Sequence, residues 1–181
     1  NDNSSFTATL NINALQLKTI EAFSLGYLKN NEGDISGSLK LTGDLDKPKI
    51  NGALSFNKAK INISMLNADL LINDQKIQFN DQGIIFKQFE LKDIKGNKAK
   101  VNGSILTNTY RDFNFNLNVT TYNFAVVNST RNDNDLFYGK LYVTSNLRIK
   151  GNLDQPIIDG NITANENTDF VFIVPTESPG V

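Results

Sequence analysis

The chain has 181 residues, 39% of them hydrophobic and 20% charged, enough apolar material for one buried core and too much for a disordered tail. A formal net charge of -1 without a Lys/Arg stripe gives no field for neutralising phosphates, so no nucleic-acid partner is expected. With 0 His and 0 Cys the usual general base, thiolate nucleophile and thiolate metal ligand are missing, and neither a Gly-x-Ser-x-Gly elbow nor a glycine-rich phosphate loop occurs, which predicts no enzyme and no cofactor.

Period-two alternation dominates from the start. Phe6, Ala8, Leu10 and Ile12 are separated by polar residues and predict a half-buried strand. Leu15 to Leu28 is the one stretch with helical spacing, Leu17, Ile20, Glu21 and Phe23 setting an apolar stripe beside a polar one, and it is too short to roof a large sheet. Further strands are predicted at Leu39-Leu41, at Ile61-Ile63-Met65, at Phe113 to Thr120 with apolar residues at each odd position, at Leu141-Val143 and at Leu147-Ile149. Ile84-Ile85-Phe86 is apolar on both faces, which marks either a strand buried on two sides or an outer contact. The expected fold is all-β, about ten or more strands with at most one short helix near residues 15–28. Such a sheet must curl on itself, pair with a second sheet or meet an apolar ligand.

The segment 39–54, LKLTGDLDKPKINGAL, returns at 147–162 as LRIKGNLDQPIIDGNI, a constant shift of 108 residues without a gap. Self-similarity of this kind predicts a repeated strand-turn-strand unit, with copies at about 33–56 and 139–162. Asp46 and Asp154 are expected to bond their own downstream backbone at the turn, and Pro48 and Pro156, which fix φ and lack an N–H, to open the next strand. Gly43, Gly52, Gly151 and Gly160 imply bulges or strong local twist. Ordinary hairpins in a β-sandwich would use the same punctuation. Asn51-Gly52 and Asn102-Gly103 match a two-residue hairpin turn, yet each stands inside an alternating run, so turn and bulge are both open.

The duplicated pattern L-x-[LI]-x-G-x-L-D-x-P-x-I-x-G-x-[LI], and a closing stretch from Gly160 through Phe170 to Glu177, resemble the TamB C-terminal domain family within the AsmA-like envelope proteins. The resemblance implies a long curled sheet, a β-taco or U-shaped trough, with an apolar inner surface. It also implies a periplasmic address, as part of an inner-membrane-anchored protein of a diderm bacterium. Partners implied by the resemblance are phospholipids or other acyl-chain ligands and, through the full-length protein, an outer-membrane β-barrel. Starting at Asn1 and closing on Pro179-Gly180-Val181, the chain is expected to be a single segment of a longer protein.

On this reading the inner wall is formed by Leu39, Leu41, Ile50, Leu54, Phe56, Ile61, Ile63, Val101, Phe113, Phe115, Leu117, Val119, Leu141, Val143, Leu147, Ile149, Ile158 and Ile162. Acyl chains are expected to lie along it. A chaperone-like scaffold pairing with barrel strands, or a dry spacer, would use the same strands differently. Asn132-Asp133-Asn134-Asp135 gathers oxygen ligands without the Gly and distal Glu of a dedicated Ca²⁺ loop, and is expected to be a solvated turn, with no metal.

Overall fold

The computed structural model describes residues 5–44, 46–152 and 154–174. Leu45 and Leu153 of the repeat, and the end of the chain at 175–181, lie outside the described residues. Strand β1 (Phe6–Gln16) runs into helix α1 (Leu17–Ala22), followed by β2 (Leu28–Gly43), β3 (Pro48–Ile63), β4 (Ala68–Ile72), β5 (Gln75–Asn80) and β6 (Gly83–Lys92). Then come β7 (Lys98–Leu106), β8 (Asn114–Ser129), β9 (Phe137–Asn152), β10 (Pro156–Ala164) and β11 (Asp169–Phe172). Among the described residues these strands make one sheet in the order β1-β2-β3-β4-β6-β7-β8-β9-β10, with β5 beside β3 and β6, and β11 beside β9. All pairings are antiparallel.

Because directly opposed residues share a face, the register decides what the sheet presents. Leu10, Leu39, Gly52, Phe79, Ile84, Ile105, Phe115 and Gly151 stand opposite one another in turn, an apolar row that crosses the sheet from β1 to β9. The sheet curls towards that face. Lys29 of β2 lies 2.6 Å from Asp133 in the β8–β9 turn, although β2 and β8 are five steps apart in the strand order. A flat sheet would hold strands five steps apart at about 24 Å. The backbone N–H of Asn128 donates to Leu66 O at 2.9 Å and the Asn134 amide to Met65 O at 2.9 Å, fastening the same end.

The bend is written into the chain as single residues in the left-handed region: Lys58 in β3, Asp74 between β4 and β5, Gln88 in β6 and Asn123 in β8 have φ between 46° and 53°. Each adds one residue and shifts the phase of the alternation, so that apolar side chains stay on one face through the bend. In β3 the inward residues change from Leu54 and Phe56 to Ala59 and Ile61. In β6 they change from Ile84 and Phe86 to Phe89 and Leu91, with Gln88 N–H donating to the Asn102 side chain at 2.7 Å. Asn102-Gly103 therefore faces a bulge in its neighbour and makes no turn; Asn51-Gly52 likewise lies within β3.

At the fully buried Asp93, the carboxylate fixes the β6–β7 turn and the closure together. It accepts from Lys95 N–H, Asn97 N–H and the Asn97 amide, each at 2.9 Å, and from Ala125 N–H of β8 at 3.0 Å.

The two repeat copies form hairpins of the same register. Gly43 faces Pro48, Leu41 faces Ile50 and Leu39 faces Gly52; in the second copy Gly151 faces Pro156, Ile149 faces Ile158 and Leu147 faces Gly160. Pairing runs unbroken through Gly52 and Gly160, so these glycines serve twist and close approach, not bulges. With φ of 144° and 141°, a Cβ there would stand 2.1 Å from Ser38 O and 2.0 Å from Asn146 O. The turn acceptors are one position after Gly43 and Gly151. Asp44 takes the N–H of Lys47 at 2.7 Å, and Asn152 takes those of Asp154 and Gln155 at 3.1 and 2.8 Å, the role expected of Asp46 and Asp154.

The short helix falls within 15–28 as expected, while the places of Phe23 and Met65 need correction. The helix is confined to Leu17–Ala22 because Leu15 and Gln16 still pair with Ile35 and Asp34 in the sheet. Leu17 is buried, whereas Phe23, expected on the same stripe, stands at the helix end and is 81% exposed. Met65 leaves the alternation of Ile61 and Ile63 to enter the β3–β4 turn, and Ile85, opposite Ser104 and Gln78, points to the convex face as an outer contact.

Candidate functional site

The concave face divides into a filled part and an open part. Leu39 and Leu54 are buried in a cluster with Leu17, Ile35, Ala59, Ile72 and Phe89, and Leu41, Ile50, Phe56, Ile61 and Val101 pack against it. Phe89 receives the edges of Phe56 and Phe86, each with ring centroids 5.6 Å apart. Helix α1 contributes Leu17 and Ile20 to this cluster, which closes the β1–β2–β3 end. These seven residues of the expected wall are core. Ile63 is half-buried, opposite Leu28 and Ala68 near the β3–β4 turn.

The remaining wall residues, Phe113 apart, form a panel on β8, β9 and β10. Its rows read Leu117-Ile149-Ile158 and Val119-Leu147-Gly160, preceded by Phe115 opposite Gly151. Val143 is buried against Phe124, and Leu141 lies opposite Val127. Towards β10 the cover falls away: Ile158 is 59% exposed and Ile162, opposite Ser145, is 62% exposed. Phe113 stands just before β8 and lines a polar cavity of about 400 Å³ with Arg111, Asp112, Asn114, Asn152 and Asp154, so it is at the mouth of the panel and not on it.

Polar groups are kept off the panel by the same alternation. Asn114, Asn116, Asn118 and Thr120 pair with Asn152, Lys150, Arg148 and Asn146 on the convex side. The panel thus has apolar area with small gaps at Gly151 and Gly160 and no charge of its own. Ile105, facing Phe115, extends it into β7, and Phe170 and Phe172 of β11 extend it past Gly139 and Phe137. Sequence reading passed over these three, although Phe170-Val171-Phe172 carries the same alternation.

Titratable groups lie at the closure and the polar turns. Hydrogen bonding from Lys29, and then from the Thr130 N–H, holds the Asp133 carboxyl below its ordinary value. The Glu32 carboxylate raises the Lys60 ammonium, and burial raises the Tyr110 phenol, helped by Asp81. The segment 132–135 is a turn tied inward: Asp133 accepts from Thr130 N–H and Oγ1, and Asn134 from Leu136 and Phe137 N–H. Among the described residues no group of three or more Asp, Glu, His or Cys is placed to hold a metal, and no helix is long and apolar enough to cross a membrane. The panel presents apolar area, and among the described residues no acid, base and nucleophile are assembled on it.

The family model described as the TamB C-terminal domain matches the chain twice, at residues 1–90 and 87–179. No curated protein and no solved structure matches it.

Proposed function

Since the chain belongs to the TamB C-terminal domain family, a family of periplasmic envelope modules, we propose that its open β8–β10 panel receives the acyl chains of phospholipids moving between the two membranes. In this reading the chain is one segment of a longer, inner-membrane-anchored trough. The supporting observation is an uncovered apolar panel on the inside of a curled sheet, with its polar alternates on the outside. Each CH₂ removed from water contributes about 0.8 kcal/mol, so an acyl chain of roughly sixteen carbons gains on the order of 10 kcal/mol before ordering losses. With few fixed polar anchors the panel favours sliding over tight capture.

The free edge of β10 favours a second reading. Among the described residues it pairs only with β9, and all nine of its residues are exposed, which suits main-chain addition of an unfolded outer-membrane barrel strand. Lipid extraction with mass spectrometry of the purified protein separates the two. Acyl chains at fixed stoichiometry, lost in an Ile149→Asp, Ile158→Asp variant that keeps its strand signal in circular dichroism, support the panel. A lipid-free protein of unchanged stability rejects it and leaves strand addition or a dry spacer.

A further inference from the structure

The two rims of the sheet, where its turns collect, differ in kind. On one rim the described turn residues, Asp44, Asp46 and Lys47, 80–83, 107–113, and Asn152, Asp154 and Gln155, are mainly Asp, Asn, Gln, Thr and Lys. On the other, Phe23, Leu25 and Tyr27 in the α1–β2 turn are 81%, 91% and 75% exposed, and Met65 and Leu136 in two further turns are about half exposed. Hydrogen bonds join these turns into one surface: Ser64 N–H to Tyr27 O at 3.0 Å, the Asn134 amide to Met65 O at 2.9 Å, and Leu136 N–H to Asn134 Oδ1 at 3.0 Å.

We propose that this rim is a membrane-docking edge which inserts its apolar side chains into the interface of a zwitterionic phospholipid bilayer. Three observations favour a bilayer over a protein. First, much of the turn backbone is already satisfied, which lowers the cost of entry into an apolar medium. Phe23 N–H donates to Ile20 O, Ser24 N–H to Glu21 O, Tyr27 N–H to Ser24 O and Leu28 N–H to Ser24 Oγ, while Leu66 and Asn67 N–H share Ile63 O. Second, the apolar area exposed at these tips is on the order of 600 Å², below the roughly 800 Å² that each partner buries in a stable dimer. It is carried on separate turns, a shape that suits a fluid partner better than a rigid one. Third, the charges around the rim balance: Lys18, Lys29, Lys95 and Arg131 against Glu21, Asp133, Asp135 and Glu166. Neither cationic attraction nor anionic repulsion is built in, so docking should follow apolar area and be insensitive to salt.

The chain contains 0 Trp, which makes a single introduced indole an unambiguous reporter. In Leu25→Trp, phosphatidylcholine vesicles should shift the emission to the blue, and brominated acyl chains should quench it, equally at low and high salt. Asn108→Trp, on the polar rim, should not respond. Phe23→Ser with Leu25→Ser should lower flotation with the same vesicles about tenfold or more. Should Leu25→Trp lose its strand signal in circular dichroism, Phe23→Trp takes its place. No response at the apolar rim, or an equal response at both rims, overturns the proposal. So does binding confined to anionic vesicles and abolished by salt. Self-association without lipid, lost in the double variant, overturns it in favour of a second copy of the chain. Acyl occupancy of the β8–β10 panel is read by extraction and does not depend on this result.

Discussion

The hairpins β2–β3 and β9–β10 carry the same sequence pattern in the same register and meet different fates. Leu54 is 8% exposed, and its counterpart Ile162 is 62% exposed. Leu39 is buried and its counterpart Leu147 half-buried. Pairing, turn and twist are local properties that the repeated residues specify twice. Burial is not local: β3 is flanked by β2 on one side and by β4 and β5 on the other, and helix α1 packs Leu17 into the cluster of Leu54 and Ala59, while among the described residues β10 has β9 alone. One motif therefore yields a filled core at one end of the trough and an open panel at the other.

Truncation should show this difference most strongly. Leu54→Ala should cost about 3 kcal/mol through lost burial and an unfilled cavity, whereas Ile162→Ala, already in water, should cost less than about 0.5 kcal/mol; chemical denaturation measures both. Equal losses would mean that β10 is covered. Next in size are the paired glycines. Gly52→Ala should cost about 2 kcal/mol because its Cβ meets backbone from a strand held on both sides, and Gly160→Ala about half of that, because an edge strand can move away. Removing the turn acceptors should erase the contrast. Asp44→Ala and Asn152→Ala act on local bonds alone and should each cost about 1 kcal/mol.

The smallest effect concerns the closure that covers the first copy. Asp133 has its pKa lowered by Lys29 and Thr130, so its contribution is complete above the ordinary carboxylate value of about 3.9 and is lost as pH falls through the lowered value. A partly exposed ion pair contributes about 1 kcal/mol or less. Acid titration of Asp133→Asn beside the unaltered chain, followed by thermal melts, should show the two converge below about pH 4.

Much of the fold was legible because alternation, the repeat and the Pro and Gly punctuation are local signals. The phase shifts at Lys58, Asp74, Gln88 and Asn123 were in the sequence too, as places where apolar residues change from even to odd positions or back. They went unread because Lys, Asp, Gln and Asn there look like ordinary outward residues. Three features were not legible. Helix length was decided by the pairing of Leu15 and Gln16 with β2, a long-range contact. The turn bonds fell to Asp44 and Asn152 because Gly43 and Gly151 make the last pairs of their hairpins, with Pro48 and Pro156, so that the next residue opens the turn. Of the wall, alternation assigned each strand a face, and Phe113 fell outside β8; which residues are core and which are open depends on the neighbours of each strand.

The central claim is that acyl chains lie on the concave side of β8 and avoid its convex side. A photoreactive residue placed singly at 115, 117 and 119, and then at 116, 118 and 120, tests this against a radiolabelled phospholipid. The account predicts lipid adducts from the odd positions and none from the even ones. Adducts without that period of two, or none at all from a folded protein, would contradict it.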